Sequence, residues 1–470
     1  HAFGEDSELA MMFGVFMAII LIVCFGLVIY RLPLLRARHE LDSWASREAA
    51  FLLNNWILLF SAVFILFATM FPTLSEAITG ERLTVGPPFF NKWMLPIGLM
   101  LLLLTGVGPL LAWRKSTLSN LGNQFLWPIT AAVVTGGVLY ALGFRVWASG
   151  VCFMLCAFVL GTIGQEFIRG TRVRRDATGA DVLTSVTGLV ARSHRRYGGY
   201  IIHVGIVLMF LGFAGEGYKL EEQVLLAPGQ QVEVGAFVVR HEGVSVRDDG
   251  QKQMVTGSLQ VFEEGEEIGM MYPARWFFRK HEQEPTTEVA IHRSISEDLY
   301  IVMAAFDMQD QSASFQVTVN PLVNWIWFGF GIMALGTVIA LLPEQAFSFA
   351  ASKIPMGAAT TSLLLFVLVA SAPLHAQHIE SAQTVPTVPR SAAERELYHE
   401  IVCMCGTCGR KLVGECTCGT AAMMRDEISL LIDQGKTKED VFQHFITMYG
   451  SQEPLAMPLD QGFNRLAWLF

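Results

Sequence analysis

Residues 198–214 read Gly-Gly-Tyr-Ile-Ile-His-Val-Gly-Ile-Val-Leu-Met-Phe-Leu-Gly-Phe-Ala, and an acidic, strand-like stretch follows at once. A span of the hydrocarbon core needs about 20 mostly apolar residues. This run has that character, and its one histidine is His203. Working outward, comparable runs occupy 9–30, 49–71, 93–113, 125–144, 146–163, 321–342 and, with weaker character, 356–372. The composition agrees. Of 470 residues 52% are hydrophobic and 16% charged, with a mean hydropathy of +0.43. That balance excludes a disordered chain and one that is soluble throughout. A net charge of −9 argues against a nucleic-acid-binding role.

Lys and Arg in the short loops set the orientation. With residue 1 outside, the inside loops 31–48, 114–124, 164–197 and 343–353 hold 14 of them, against only Arg82, Lys92 and Arg145 in the short outside loops. Both long polar segments, 216–320 and 377–470, then fall outside.

Segment 216–320 carries 18 acids against 8 Lys and Arg. Strand-like stretches at 234–240, 244–247, 253–262, 287–291, 299–306 and 314–319, with turns such as Asp248-Asp249-Gly250, predict a small antiparallel β-domain of six or more strands. Its histidines, His241, His281 and His292, are expected on loops or strand ends, so the domain reads as a docking and covering element.

After the span at 321–343, residues 344–376 resemble a secretory signal placed mid-chain, and cleavage after Ala376 stays open. Residues 377–392 read as a linker rich in Ser, Thr, Pro and Gln. Helical spacing over 394–402, 421–434 and 438–449 predicts a small three-helix bundle spanning 393–462, and 463–470 reads as the onset of a truncated further span.

Two constellations carry chemistry. An ionisable residue inside a span is costly and marks a functional position. His203 is therefore either hydrogen-bonded to a neighbouring helix or a ligand of metal or haem iron. Five of eight cysteines fall within 403–418 as Cys403-Met-Cys405-Gly-Thr-Cys408 and Cys416-Thr-Cys418. The C-x-x-C pair Cys405/Cys408 suits thiol–disulfide exchange; a zinc site or a structural disulfide are the other readings. No His follows Cys408, which excludes a c-type haem attachment site. Cys152 and Cys156, four apart within a span, read as small helix filler.

Four stretches resemble those of CcmF-type cytochrome c haem lyases: Ser46-Arg-Glu-Ala-Ala-Phe-Leu-Leu-Asn-Asn55, Gly86-Pro-Pro-Phe-Phe-Asn91, Arg195-Arg-Tyr-Gly-Gly-Tyr-Ile-Ile-His203-Val-Gly205 and His1-Ala-Phe. The resemblance covers about residues 1–343. It implies that His203 ligates a haem b embedded in the membrane and that His1 is an outward ligand of the haem being delivered to apocytochrome c. Residues 393–470 resemble the CcmH/CcmL thiol oxidoreductases, whose C-x-x-C opens a three-helix bundle, with Ile401-Val-Cys-Met-Cys405 in place of the usual L-R-C. The family's tryptophan-rich haem loop is absent from the sequence, which implies a further polypeptide to supply it or a chain truncated upstream.

The expected molecule is a polytopic α-helical membrane protein with an inserted extracytoplasmic β-domain and a C-terminal helical cysteine domain. Six spans lie in 1–215. It is expected in the inner (cytoplasmic) membrane as a haem lyase with a thiol oxidoreductase domain, Cys405 and Cys408 being the reactive pair. Expected partners are haem, apocytochrome c, a haem chaperone and other maturation subunits. The alternative is a polytopic transporter or sensor with a zinc-binding tail.

Overall fold

The computed structural model describes residues 8–35, 41, 43–111, 118–279, 286–343, 391–405, 410–416 and 419–468. Seven of its helices are long and apolar enough to cross a membrane: α1 (Glu8–Leu35), α2 (Arg47–Thr79), α3 (Pro87–Leu110), α4 (Leu118–Ala141), α5 (Trp147–Thr178), α7 (His194–Ala214) and α8 (Asn324–Leu341). With the β-domain described below, they fit a polytopic membrane protein. The expected span at 356–372 lies outside the described residues, as do His1 and the signal-like segment to Ala376.

Local chemistry sets several helix ends. Ser46 caps α2 by accepting from the Ala49 N–H, and Gly80, at φ 78°, ends it in the left-handed conformation. Gly86 precedes α3, whose first turn opens with Pro87 and Pro88. Arg47 donates to the carbonyls of Gly108 (3.1 Å) and Pro109 (2.7 Å) at the far end of α3, where a cation suits the helix dipole. Two of the sequence stretches singled out above thus start and tie together α2 and α3.

Two features of the loop expected over 164–197 differ from the sequence reading. Helix α5 runs on to Thr178, because its first left-handed stop is Gly179, and it carries Glu166 inside the helix. A short amphipathic helix, α6 (Val182–Arg192), follows, capped by Asp181.

Helices α7 and α8 pack backbone to backbone. A Cβ on Gly205 would lie 2.6 Å from the Gly329 carbonyl oxygen and from the Met333 nitrogen, and one on Gly336 would lie 2.7 Å from the Ile202 nitrogen. Small residues let helices approach closely where van der Waals packing drives association in lipid. Gly198, Gly205 and Gly212 form one stripe, facing Ala340, Gly329 and Ile326 in turn.

Between α7 and α8 lies a β-sandwich of ten strands. One sheet has the order β1 (Leu220–Leu226), β10 (Ala313–Pro321), β9 (Glu297–Phe306), β8 (Ala290–Arg293). The other runs β2 (Gln231–Val234), β3 (Phe237–Asp248), β4 (Lys252–Glu263), β6 (Ala274–Phe278), β7 (Thr286–Glu288), with β5 (Glu266–Met271) also on β4. All pairs are antiparallel. Phe237, Val239, Leu259, Leu299, Ile301, Phe315 and Val317 fill the space between the sheets.

The strands expected at 234–240 and 244–247 divide differently. Val234 ends β2, and the rest is one strand, β3, with a register shift between His241 and Gly243. His241 is consequently inside a strand and fully buried, against the expected loop or strand end, and its Nε2 meets the Gln311 carbonyl at 2.9 Å. His292 lies within β8, and His281 is outside the described residues.

The sandwich is clamped to the helices at its root. Asn324 at the start of α8 donates to the Ser294 carbonyl and, at 2.6 Å, to Asp298. A Cβ on Gly215, just past α7, would fall 2.0 Å from the Pro321 carbonyl oxygen at the end of β10.

The C-terminal unit has α9 (Ala392–Tyr398), α10 (Gly419–Asp433) and α11 (Lys438–Tyr449). The first helix stops earlier than expected, and Ile401 and Val402 instead form antiparallel bridges to Leu455 and Leu412. Leu397, Ile401, Val413, Met424, Ile428, Val441 and Phe445 make its core.

Candidate functional site

At about 100° per residue, Arg196, Tyr200, His203 and Val207 share the face of α7 opposite the glycine stripe. That face meets α5. The Cys152 Sγ contacts the Phe210 carbonyl (3.4 Å) and the Cys156 Sγ the Val207 carbonyl (3.7 Å). The two cysteines are buried, as expected of helix filler. Further along the same seam Glu166, only 4% exposed, pairs with Arg196, accepts from the Tyr200 hydroxyl at 3.4 Å and sits 3.6 Å from Arg169.

These pairs run antiparallel, so His203 lies level with about residue 160 of α5. At that level α5 holds the buried Val159 and Ile163, and the buried Thr162, whose hydroxyl donates to the Phe158 carbonyl at 3.0 Å. The His203 Nδ1 is buried without a hydrogen-bond partner. The interhelical hydrogen bond considered as one reading of this residue is not made at Nδ1. An unpartnered buried imidazole nitrogen costs about 1–3 kcal/mol. A buried imidazole nitrogen without a hydrogen-bond partner is the donor chemistry of a haem-iron ligand. The other histidine of α7, His194, is its first residue, so His203 is the one histidine among the described residues that lies in the interior of a membrane-capable helix.

The second constellation is at the other end of the chain. The Sγ atoms of Cys403, Cys405 and Cys416 all lie within 4.8 Å of one another. Cys403 and Cys416 are buried and Cys405 is half-buried. Cys405 is in a disulfide, while Cys403 and Cys416 carry thiols. Cys408 and Cys418 are outside the described residues. Arg425 of α10, fully buried, donates one nitrogen to the carbonyls of Val413 (2.6 Å) and Cys416 (2.7 Å). This guanidinium holds the loop that bears Cys416. Sequence reasoning had no signal for it, because an arginine at that helical spacing reads as surface.

The cysteine unit is seated on the loop that joins α2 and α3. Glu453 accepts from the Arg82 N–H at 2.8 Å and pairs with Arg410 at 2.6 Å. Arg410 also donates to the Arg82 carbonyl and to the Thr84 hydroxyl, the latter at 3.1 Å. The Gly86 N–H donates to the Ala456 carbonyl at 2.8 Å, close enough that a Cβ on Gly86 would lie 3.2 Å from that oxygen. Trp468 stacks edge-on against Phe89 and lies under the Lys92 ammonium, 4.2 Å from the ring centre. Arg395 reaches Glu222 of the sandwich at 3.5 Å. The cysteine unit therefore touches the start of α3 and, through Arg395, the sandwich.

Residues 217–321 match the CcmF C-terminal beta-sandwich family. Over 349 residues, 73% of the chain, it is 30% identical to the cytochrome c-type biogenesis protein CcmF of Pseudomonas aeruginosa. The corresponding Escherichia coli protein is 24% identical over the same share. The chain covers 51% of each of these two proteins, so it spans about half the length of the curated relatives it matches. A solved structure titled Cytochrome c Heme Lyase CcmF superposes with a TM-score of 0.53 at 26% identity, covering 64% of this chain and 46% of the other. The similarity to the CcmF-type family expected from the sequence is thus found again in fold and in alignment.

Proposed function

We propose that this chain serves cytochrome c maturation as a CcmF-type haem-handling protein of the inner membrane, with its sandwich and cysteine unit on the outer side. The observation that carries the reading is His203, a histidine in a membrane-capable helix with a buried unpartnered nitrogen, in a chain whose sandwich matches the CcmF C-terminal family. A haem b held there would supply an electron to keep delivered haem iron reduced. The protein's own part is to hold the His203 imidazole on the face of α7 that meets α5 and to exclude water with the buried Val159 and Ile163. The haem being delivered would be met on the outer side by His1, with apocytochrome c, a haem chaperone, further maturation subunits and a polypeptide bearing the tryptophan-rich loop as partners.

Attachment adds two thiol S–H groups of the substrate C-x-x-C-H motif across the haem vinyls, forming thioethers. Those thiols must be reduced beforehand. In this reading the CcmH/CcmL-like unit does so, with Cys405 and Cys408 exchanging through a mixed disulfide. Its seat on the α2–α3 loop brings that chemistry to the membrane surface.

The test is the absorbance of the purified membrane protein, co-produced with the missing upstream half. His203→Ala should remove a low-spin b-type spectrum while the protein stays monodisperse. An unchanged spectrum rules out His203 as the ligand.

A further inference from the structure

Among the described residues, Glu166 is the buried carboxylate of the membrane-capable helices. A carboxylate at such a position is costly, and it is kept where cations meet it. Arg196 pairs with it from α7, and Arg169 stands one turn further along α5. The Arg196 Nε donates as well to the Tyr200 hydroxyl at 3.1 Å, and that hydroxyl donates to Glu166, so the guanidinium is held at two points. Two arginines and one carboxylate leave the cluster with a net positive charge. The cluster lies close to His203. Tyr200 is three residues away, about 4.5 Å along α7, and Arg196 is seven, about 10.5 Å and on the same face. Tyr200, Val159 and Ile163 are buried in this seam. Charges act over such distances more strongly among buried side chains than in water.

We propose that the Glu166–Arg196 pair sets the electrostatic potential at His203, and so the reduction potential of an iron ligated there. This inference rests on the haem-ligand reading of His203. Taking up one electron lowers the charge at the ligated site by one. A cation nearby favours that change and an anion opposes it. Arg196 therefore biases the site toward its reduced state, which is the state the proposed function requires. Glu166 limits that bias and ties the half-exposed guanidinium to α5. Both residues act through space on the ligated site, without touching the reacting atoms.

The experiment uses the full chain in detergent, co-produced with the upstream half. The b-type absorbance is followed in a potentiometric titration with dithionite as reductant, ferricyanide as oxidant and mediator dyes. Glu166→Gln should shift the midpoint upward, so that at the wild-type midpoint the ratio of reduced to oxidised form rises by about threefold or more. Arg196→Gln should shift it downward by a comparable factor, and the double variant should fall between the two single ones. Glu166→Asp, which keeps the charge, should stay near wild type. Opposite signs distinguish charge from damage, because loosened packing would move both single variants the same way. Hydrogen exchange over residues 201–207 in the unloaded protein reports whether α7 is intact. Should Glu166→Gln fail this control, Arg169→Gln, at the more exposed arginine, carries the test with a smaller downward shift. Midpoints that do not move, or that move in the same direction in Glu166→Gln and Arg196→Gln, overturn the proposal; the ligand reading then stands as long as His203→Ala still removes the spectrum. A spectrum that survives His203→Ala overturns both.

Discussion

The α7–α8 pair and the C-terminal cysteine unit hold their candidate functional side chains by opposite means. In the membrane pair, glycines let two backbones touch, and His203 is presented on the face left over. Little is hydrogen-bonded between the two helices; shape alone sets the register. In the cysteine unit the helices are short and the loops long, so a buried cation, Arg425, gathers loop carbonyls. The first device fails through excess volume, the second through loss of a polar partner.

The largest effect should therefore come from adding atoms to the glycine stripe. Gly205→Val places branched carbons where even a Cβ would be 2.6 Å from backbone of α8. Overpacking against side chains costs about 1–3 kcal/mol, and a backbone cannot move aside, so at least about 3 kcal/mol is expected. The protein should lose its thermal transition in detergent. Gly331→Ala, with nothing within 4 Å of the added carbon, is the control and should melt like wild type.

Next comes Arg425→Met. It keeps the volume and removes hydrogen bonds to two buried carbonyls, for a loss of about 2–3 kcal/mol. The effect should stay within the C-terminal unit. Hydrogen exchange at Val413–Cys416 should rise and alkylation of Cys416 should speed up, while the spectrum proposed for His203 and the sandwich do not change. A change in the spectrum would mean that the two regions are coupled more tightly than the contacts around Arg82 and Gly86 suggest.

Glu453→Gln tests that coupling at its seat. The carboxylate serves both the Arg82 N–H and Arg410. The amide keeps one acceptor and loses the charge, so a partly exposed pair is weakened by about 1 kcal/mol. Exchange at the Gly86 N–H, which bonds to Ala456, should rise by about fivefold.

Much of this was legible in the sequence for a physical reason. Apolar runs of membrane length have few alternatives, so the seven long helices were readable. His203 stood out as the ionisable residue in an apolar run. Glu166 was missed because the polar pair Gln165-Glu166 looks like a span ending, whereas the helix continues to the left-handed Gly179. The stripe did leave a signal, glycines seven apart at 198, 205 and 212, that spacing could have exposed. His241 was misplaced because a bulge breaks the alternation that marks a strand. The seat of the cysteine unit on the α2–α3 loop is a contact between residues far apart in the chain, and no local pattern encodes it. The C-x-x-C spacing led to Cys405 pairing with Cys408; Cys405 is in a disulfide, and Cys408 lies outside the described residues.

The smallest effect expected is at the start of α11, where the cysteine unit uses a capping box. The Thr437 side chain accepts from the Asp440 N–H, and the Asp440 carboxylate in return accepts from the Thr437 N–H and hydroxyl, both at 2.9 Å. Removing an N-cap hydroxyl costs typically about 1 kcal/mol, so Thr437→Ala should lower the stability of the unit by that order without touching the cysteines. The same box gives a pH dependence. The Thr437 N–H, and then its hydroxyl, hold the Asp440 carboxyl below the usual carboxylate range. Its folded pKa is thus below its unfolded one. The contribution is fully present above the unfolded value and is lost as the pH falls through the folded value. Acidification should fray α11 before the glycine-packed helices respond, since their contact carries no titrating group. Asp440→Asn should flatten the acid limb in hydrogen exchange at Val441 and Phe442. If the variant frays with the same acid profile as wild type, another carboxyl sets the limb, and the capping box is not what distinguishes this unit from the membrane pair.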